Sequence, residues 1–227
     1  MTIIRLFLAG DSTMSAYGSD RYPRMGWGQT LTHYLEPLVS IRNHAMSGRS
    51  SKSFRTEGRW QEMESEWQPG DYVFIQFGHN DQKSDPERAT KPFSSYQANL
   101  HFFIQRAKSA QVTPILLTPI ARRQFNEHGI LEHTHGYYPL AVRKLAAQER
   151  VDCIDMLQWS SQLLNELGAE QSKSLFMQLP PGLYPNYPEG EMDDTHLTEA
   201  GAEAHCKLCV EALDQIGHPL AVYNKCK

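Results

Sequence analysis

The sequence predicts an α/β protein built on a parallel sheet with helices on both faces. Short apolar runs bounded by turn residues alternate along the chain with segments whose apolar residues recur at helical spacing. These runs suit strands covered on both sides. No repeat, low-complexity tract or linker divides the chain, so residues 1–227 read as a single domain. Right-handed crossovers leave few arrangements, and a five-stranded doubly wound sheet in the order 2-1-3-4-5 is the natural one.

The first strand is Ile3 to Ala9, stopped by Gly10-Asp11. Trp27 to Leu38 places Leu31, Tyr34, Leu35 and Leu38 at helical spacing, and Val39 to Asn43 reads as the second strand. Residues 57–67 suggest a helix closed by the turn Gln68-Pro69-Gly70-Asp71, and Tyr72 to Phe77 is the clearest buried strand. A polar loop from Gln82 to Pro92 leads to a helix from about Ser94 to Ala110. Val112 to Leu117 forms the fourth strand, its start weakened by Pro114. After a long polar loop over 119–136 come a helix from Tyr138 to Arg150 and a short strand from Val151 to Ile154. Met156 to Gly168 is helical. The stretch 171–192, with Pro180, Pro181, Pro185 and Pro188, reads as a long loop before a last helix from about Thr198 to Ile216.

Composition narrows the function classes. A net charge of −4 gives no reason to expect nucleic acid or an acidic membrane as partner. The first apolar run is too short to span a membrane or to serve as a secretory core. Its removal would delete Ser12, so the chain as given is expected to be cytoplasmic. Cys206 and Cys209 form a C-x-x-C inside a helical pattern, where i and i+3 share a face. With no second such pair to complete a zinc site, they are expected in the core.

Three polar motifs end the first three strands: Gly10-Asp11-Ser12, Ser47-Gly48 and Gly78-His79-Asn80. In a doubly wound sheet these ends open on one crevice. Ser12 then offers a nucleophile. The N–H groups of Ser12 and Gly48, with the Asn80 amide, offer donors for an oxyanion. Before the last helix, Asp193 stands three residues from His196, close enough for its carboxylate to orient the imidazole. Asp194 is expected to favour the positive end of that helix.

In order and spacing these blocks resemble the signature blocks of the SGNH (GDSL-type) hydrolases. Gly10 to Met14, Asn43 to Ser51 with Ser53-Phe54, and Gln76 to Asp81 resemble the rhamnogalacturonan acetylesterase branch in particular. The resemblance implies a flavodoxin-like three-layer α/β/α fold with no metal and no cofactor. The implied reaction removes acetyl groups from pectic rhamnogalacturonan through an acetyl-serine intermediate. Ser12 is then the nucleophile, His196 the base and later the acid, and Asp193 its orienter. The missing signal peptide points to imported oligosaccharides as substrate.

Arg49, Arg122 and Arg123 are candidates to bind a uronate carboxylate. His79 belongs with the candidates for substrate contact, and Tyr184 and Tyr187 with those for stacking on a sugar. His128, His133 and His135 lie on a loop without a carboxylate or cysteine pattern, which suits a substrate-bordering loop better than a metal site. The same catalytic set serves acetylated xylan and longer acyl esters. The polar, aromatic loops beside the motifs favour sugar over a lipid or thioester. A sugar-binding protein has no use for a triad, and a nucleotide binder lacks its glycine fingerprint and P-loop lysine.

Overall fold

In the computed structural model, which describes residues 3–225, the first strand is β1 (Ile4–Gly10), an inner strand of the main sheet. It pairs in parallel with β2 (Val39–Asn43) on one side and β3 (Tyr72–Gln76) on the other. β4 (Thr113–Leu117) and β5 (Asp152–Ile154) extend the sheet beyond β3, giving the order β2-β1-β3-β4-β5. This is the expected topology, and it puts the ends of β1, β2 and β3 side by side.

Alternation along each strand divides the core. Leu6 and Leu8 of β1, Phe74 of β3, and Ile115 and Leu117 of β4 face one layer. That layer holds α1 (Leu31–Tyr34), α6 (Met156–Gln171) and α7 (Glu199–Gln215). Cys206 and Cys209 are fully buried in it, as a core reading requires. Phe7, Ala9, Val73, Ile75 and Leu116 face the opposite layer. There lie α2 (Ser51–Thr56), α3 (Arg59–Glu64), α4 (Gln97–Ser109) and α5 (Tyr138–Glu149). Trp60 of α3 stacks on Phe103 of α4 with centroids 4.1 Å apart.

Several boundaries differ from expectation, each for a local reason. The helix expected over Trp27 to Leu38 is a 3-10 turn (Trp27–Thr30) followed by the single turn α1. Leu35 is already extended, and Pro37 disfavours helix at the residue before it. The helix expected over 57–67 begins later, at Arg59. A separate α2 precedes it, opened by a reciprocal capping box between Ser50 and Ser53. A π turn (Pro92–Tyr96) leads into α4.

The largest difference lies in the stretch expected to be loop. Phe176–Leu179 forms β6, paired antiparallel with β7 (Glu191–Leu197). The proline-rich segment between them is the tip of a ribbon. The base of that ribbon is pressed against α7: a Cβ on Gly201 would stand 1.9 Å from the Leu175 carbonyl oxygen. Thr198 caps α7 by accepting from the Gly201 N–H at 3.2 Å, while its own hydroxyl donates to the Ser174 carbonyl at 2.8 Å.

A second tie sets the loops at the sheet's edge. Asp81 is fully buried and accepts hydrogen bonds from the Ser51 N–H (3.0 Å), the Ser51 hydroxyl (2.5 Å) and the Thr90 hydroxyl (3.1 Å). It thus joins the start of α2, just after Gly48, to the turn that carries Asn80. Burial pushes the Asp81 carboxyl up to about 7, against the lowering effect of those hydrogen bonds.

Two outcomes follow from these ties. Gly201→Ala gains about 1 kcal/mol of helix propensity but meets backbone. The overlap costs about 3 kcal/mol, and the net loss lowers Tm by about 4–8 °C in a thermal melt. Asp81 is neutral in the folded chain up to about pH 7, whereas the unfolded side chain ionises near pH 4. Its stabilising contribution is therefore complete below about pH 4 and is lost as pH rises through about 7. Thermal melts of Asp81→Asn should show a shallower decline in Tm between pH 5 and 8 than the unsubstituted chain.

Candidate active site

Asp193 and His196 lie on β7, where an unpaired stretch brings them together. Phe176 pairs with Leu197 but its neighbour Met177 pairs with Asp193. Asp194, Thr195 and His196 are thus extra residues on one strand of the ladder. On a regular strand, residues i and i+3 point to opposite faces. Here the bulge folds the backbone over the aspartate, whose Oδ1 accepts from the Thr195 N–H (2.7 Å) and the His196 N–H (3.0 Å). The other oxygen, Oδ2, is 2.6 Å from His196 Nδ1. On the far side of the ring, His196 Nε2 lies 3.0 Å from the Ser12 hydroxyl. Burial by itself raises the Asp193 pKa, but the hydrogen bonds from the His196 ring and from the backbone outweigh it and hold the carboxyl well below the usual range.

Ser12 sits in the turn after β1. Asp11 fastens that turn: its Oδ1 accepts from the Thr13 N–H (3.0 Å) and hydroxyl (2.9 Å), and its carbonyl accepts from the Ser15 hydroxyl (2.8 Å). The Tyr17 hydroxyl donates to the Ser12 carbonyl at 2.9 Å. Gly48 has φ +79°, a left-handed conformation that favours glycine and lets its backbone reach the cleft wall. The Asn80 side-chain NH2 donates one hydrogen to the Arg49 carbonyl (3.1 Å), and its oxygen accepts from Arg88 (3.3 Å). Those two contacts orient the amide and leave its second N–H for an oxyanion.

Together Ser12, Gly48, Asn80, Asp193 and His196 line a polar cleft of about 340 Å³, whose walls also carry Lys83 and Arg122. A nucleophile, an oriented base and convergent N–H donors are what acyl transfer requires.

The remaining sequence candidates separate. Arg122 lines the cleft, held by the Thr134 hydroxyl (3.1 Å) and the His79 carbonyl (3.3 Å). His79 also borders it, but its side chain is only 3% exposed and its Nδ1 stands 3.3 Å from Asp11 Oδ2. Burial lowers its pKa despite that carboxylate, and the ring forms a buried floor beneath the turn that carries Ser12 rather than an exposed sugar contact. Its ring meets His135 edge-on, and His135 is itself buried against the Ile120 carbonyl at 2.8 Å. Arg49 is turned to Glu57 at 2.9 Å and to the Ser47 carbonyl at 2.9 Å, and is not part of the cleft wall. Arg123 pairs with Asp194 at 2.6 Å. That pairing also corrects the expectation for Asp194, which braces the loop after β4 rather than the start of α7. Tyr184 lies in a separate hollow beside Tyr22 and Glu199, and is not among the residues that line the cleft at Ser12. Among the described residues no group of three or more His, Cys, Asp or Glu is placed to hold a metal ion.

Arg24 was not singled out by its sequence. Its Nη2 is 3.5 Å from the Asp193 oxygen that faces the imidazole. A lone arginine in a loop carries no sequence signal for that position; the bridge between Arg24 and Thr198 creates it.

The GDSL-like Lipase/Acylhydrolase family model matches residues 8–204. The chain is 43% identical over 217 residues to the rhamnogalacturonan acetylesterase RhgT of Bacillus subtilis (strain 168), covering 96% of this chain and 92% of that protein. It is 37% identical to the probable rhamnogalacturonan acetylesterase YesY of the same strain, covering 95% and 94%. The crystal structure of Bacillus subtilis YxiM superposes with a TM-score of 0.82 at 28% identity, over 96% of this chain; the chain spans 58% of that one. An acetylxylan esterase from Geobacillus stearothermophilus, Axe2, shares the fold at a TM-score of 0.64 and 18% identity, covering 93% and 94%.

Removing the Asn80 amide tests the site's geometry. Asn80→Ala should lower kcat on p-nitrophenyl acetate about 100-fold with little change in KM, since an oxyanion donor acts mainly in the transition state.

Proposed function

The chain belongs to the GDSL-like lipase/acylhydrolase family, and from that premise we propose that it is a serine esterase that removes acetyl groups from rhamnogalacturonan oligosaccharides. The observation that carries the substrate is its identity, across almost the whole chain, to proteins named as rhamnogalacturonan acetylesterases. The hydrogen-bonded run from Asp193 through His196 to Ser12 supports the chemistry.

In this reading Ser12 Oγ attacks the acetyl carbonyl as His196 Nε2 takes its proton. Asp193, ionised and hydrogen-bonded to Nδ1, fixes the tautomer and steadies the imidazolium. The carbonyl oxygen becomes an oxyanion held by the N–H groups of Ser12 and Gly48 and by the Asn80 amide. Each such donor contributes about 3–4 kcal/mol. Collapse of the tetrahedral intermediate breaks the bond to the sugar oxygen, which leaves with the proton from His196. Water, deprotonated by the same nitrogen, then attacks the acetyl-serine, and acetate departs as the serine recovers its hydrogen.

The cleft's polar walls, with Lys83 and Arg122, suit an acidic sugar carrying a short acyl group better than a fatty chain. Acetate release from acetylated rhamnogalacturonan oligomers should exceed that from acetylated xylan at least tenfold in kcat/KM. Hydrolysis of p-nitrophenyl acetate should likewise outpace that of the octanoate. Faster turnover of xylan acetates, or of the octanoate, overturns the substrate assignment.

A further inference from the structure

Next to the catalytic cleft is a second hollow of about 290 Å³ whose walls include Tyr17, Arg21, Arg24, Ala45, Met46 and Ser47. Ser47 belongs to the walls of both, so the two hollows adjoin. Tyr17 is held on the nucleophile's side by its hydroxyl bond to the Ser12 carbonyl. Gln29 grips its backbone twice, accepting from the Tyr17 N–H at 2.8 Å and donating to the Tyr17 carbonyl at 3.1 Å. The backbone of Tyr17 is thus held by two hydrogen bonds and its phenol by one. Met46 is 37% exposed.

The two guanidinium groups here differ in their commitments. Arg24 leans on Asp193 at 3.5 Å. Arg21 is 61% exposed, and among the described residues its one carboxylate partner is Asp20, at 3.5 Å and itself 79% exposed. An ion pair that loose and that wet contributes about 0–1 kcal/mol and is readily exchanged. Arg21 is therefore free to offer its planar fork to a ligand carboxylate.

A held aromatic ring, small apolar surface, a hydroxyl and an available guanidinium make a surface complementary to a sugar ring bearing a carboxylate. Resting on the acetylesterase reading above, we infer that this hollow is a subsite for a second uronosyl unit on the same oligosaccharide as the acetylated one. Arg21 pairs with the uronate carboxylate, Tyr17 and Met46 carry the ring, and Ser47 stands where the chain passes from the cleft into the hollow. Arg24, shared between the hollow and Asp193, sets the wall between subsite and triad.

Calorimetric titration of the full chain with trigalacturonate and with its carboxyl-reduced counterpart tests this. The acidic trimer should bind at least tenfold tighter. Arg21→Gln, at an exposed side chain, should weaken the acidic trimer fivefold or more while moving the reduced trimer less than twofold. Lys83→Gln distinguishes the catalytic cleft from the hollow. If it abolishes the preference for the acidic trimer while Arg21→Gln preserves it, the carboxylate is read in the cleft and the inference is overturned. Equal binding of the two trimers to the unsubstituted chain overturns it as well. Should the acidic trimer bind through Arg21 while acetylated rhamnogalacturonan releases no acetate, the subsite stands and the substrate reading above fails.

Discussion

A contact of 3.0 Å between His196 Nε2 and the Ser12 hydroxyl joins groups separated by 184 positions in the chain, and the rest of the site depends on it. The serine is set by the sheet, because it follows β1, an inner strand paired on both sides. The histidine has no such support, since β7 is not part of that sheet. It is brought over by a two-stranded ribbon whose base is clamped to α7 where Gly201 nearly touches Leu175. The buried close approach of α7 to the base of the ribbon therefore helps set the His196 imidazole beside the Ser12 hydroxyl.

The site combines a rigid and a braced half. Ser12, Gly48 and Asn80 come from adjacent strand ends, stiffened by Asp11 beneath the first turn and Asp81 beneath the second and third. The acid–base half is locally self-contained: one carboxylate accepts two backbone N–H groups and still faces the imidazole. Preorganisation of this kind lets the donors act without reorganising as charge develops. The fully buried carboxylate Asp11 keeps its pKa low, since contacts with His79 and Thr13 outweigh the cost of burial.

Much of this was legible in the sequence because it depends on local rules. The five strands of the main sheet were readable as apolar runs, their order followed from crossover handedness, and three polar motifs fell at neighbouring strand ends. Asp193 and His196 were visible from their spacing, although their meeting depends on a bulge that spacing does not reveal. The ribbon escaped because Phe176 to Leu179 is short and its partner is the polar run holding the acid and base. Nor could sequence sort the arginines, whose reach spans several elements. Only the fold shows Arg49 turned to Glu57, Arg123 to Asp194, Arg122 facing the cleft and Arg24 leaning on the triad.

The proposed mechanism passes the acyl group through Ser12 on its way from sugar to water. Rapid quenching of the full chain with p-nitrophenyl acetate at acidic pH, followed by peptide mass spectrometry, addresses it directly. One acetyl group is expected, on Ser12, in the peptide that contains it. Acetylation confined to another residue, or turnover without any acetylated Ser12 under conditions that trap a control serine esterase, would contradict it.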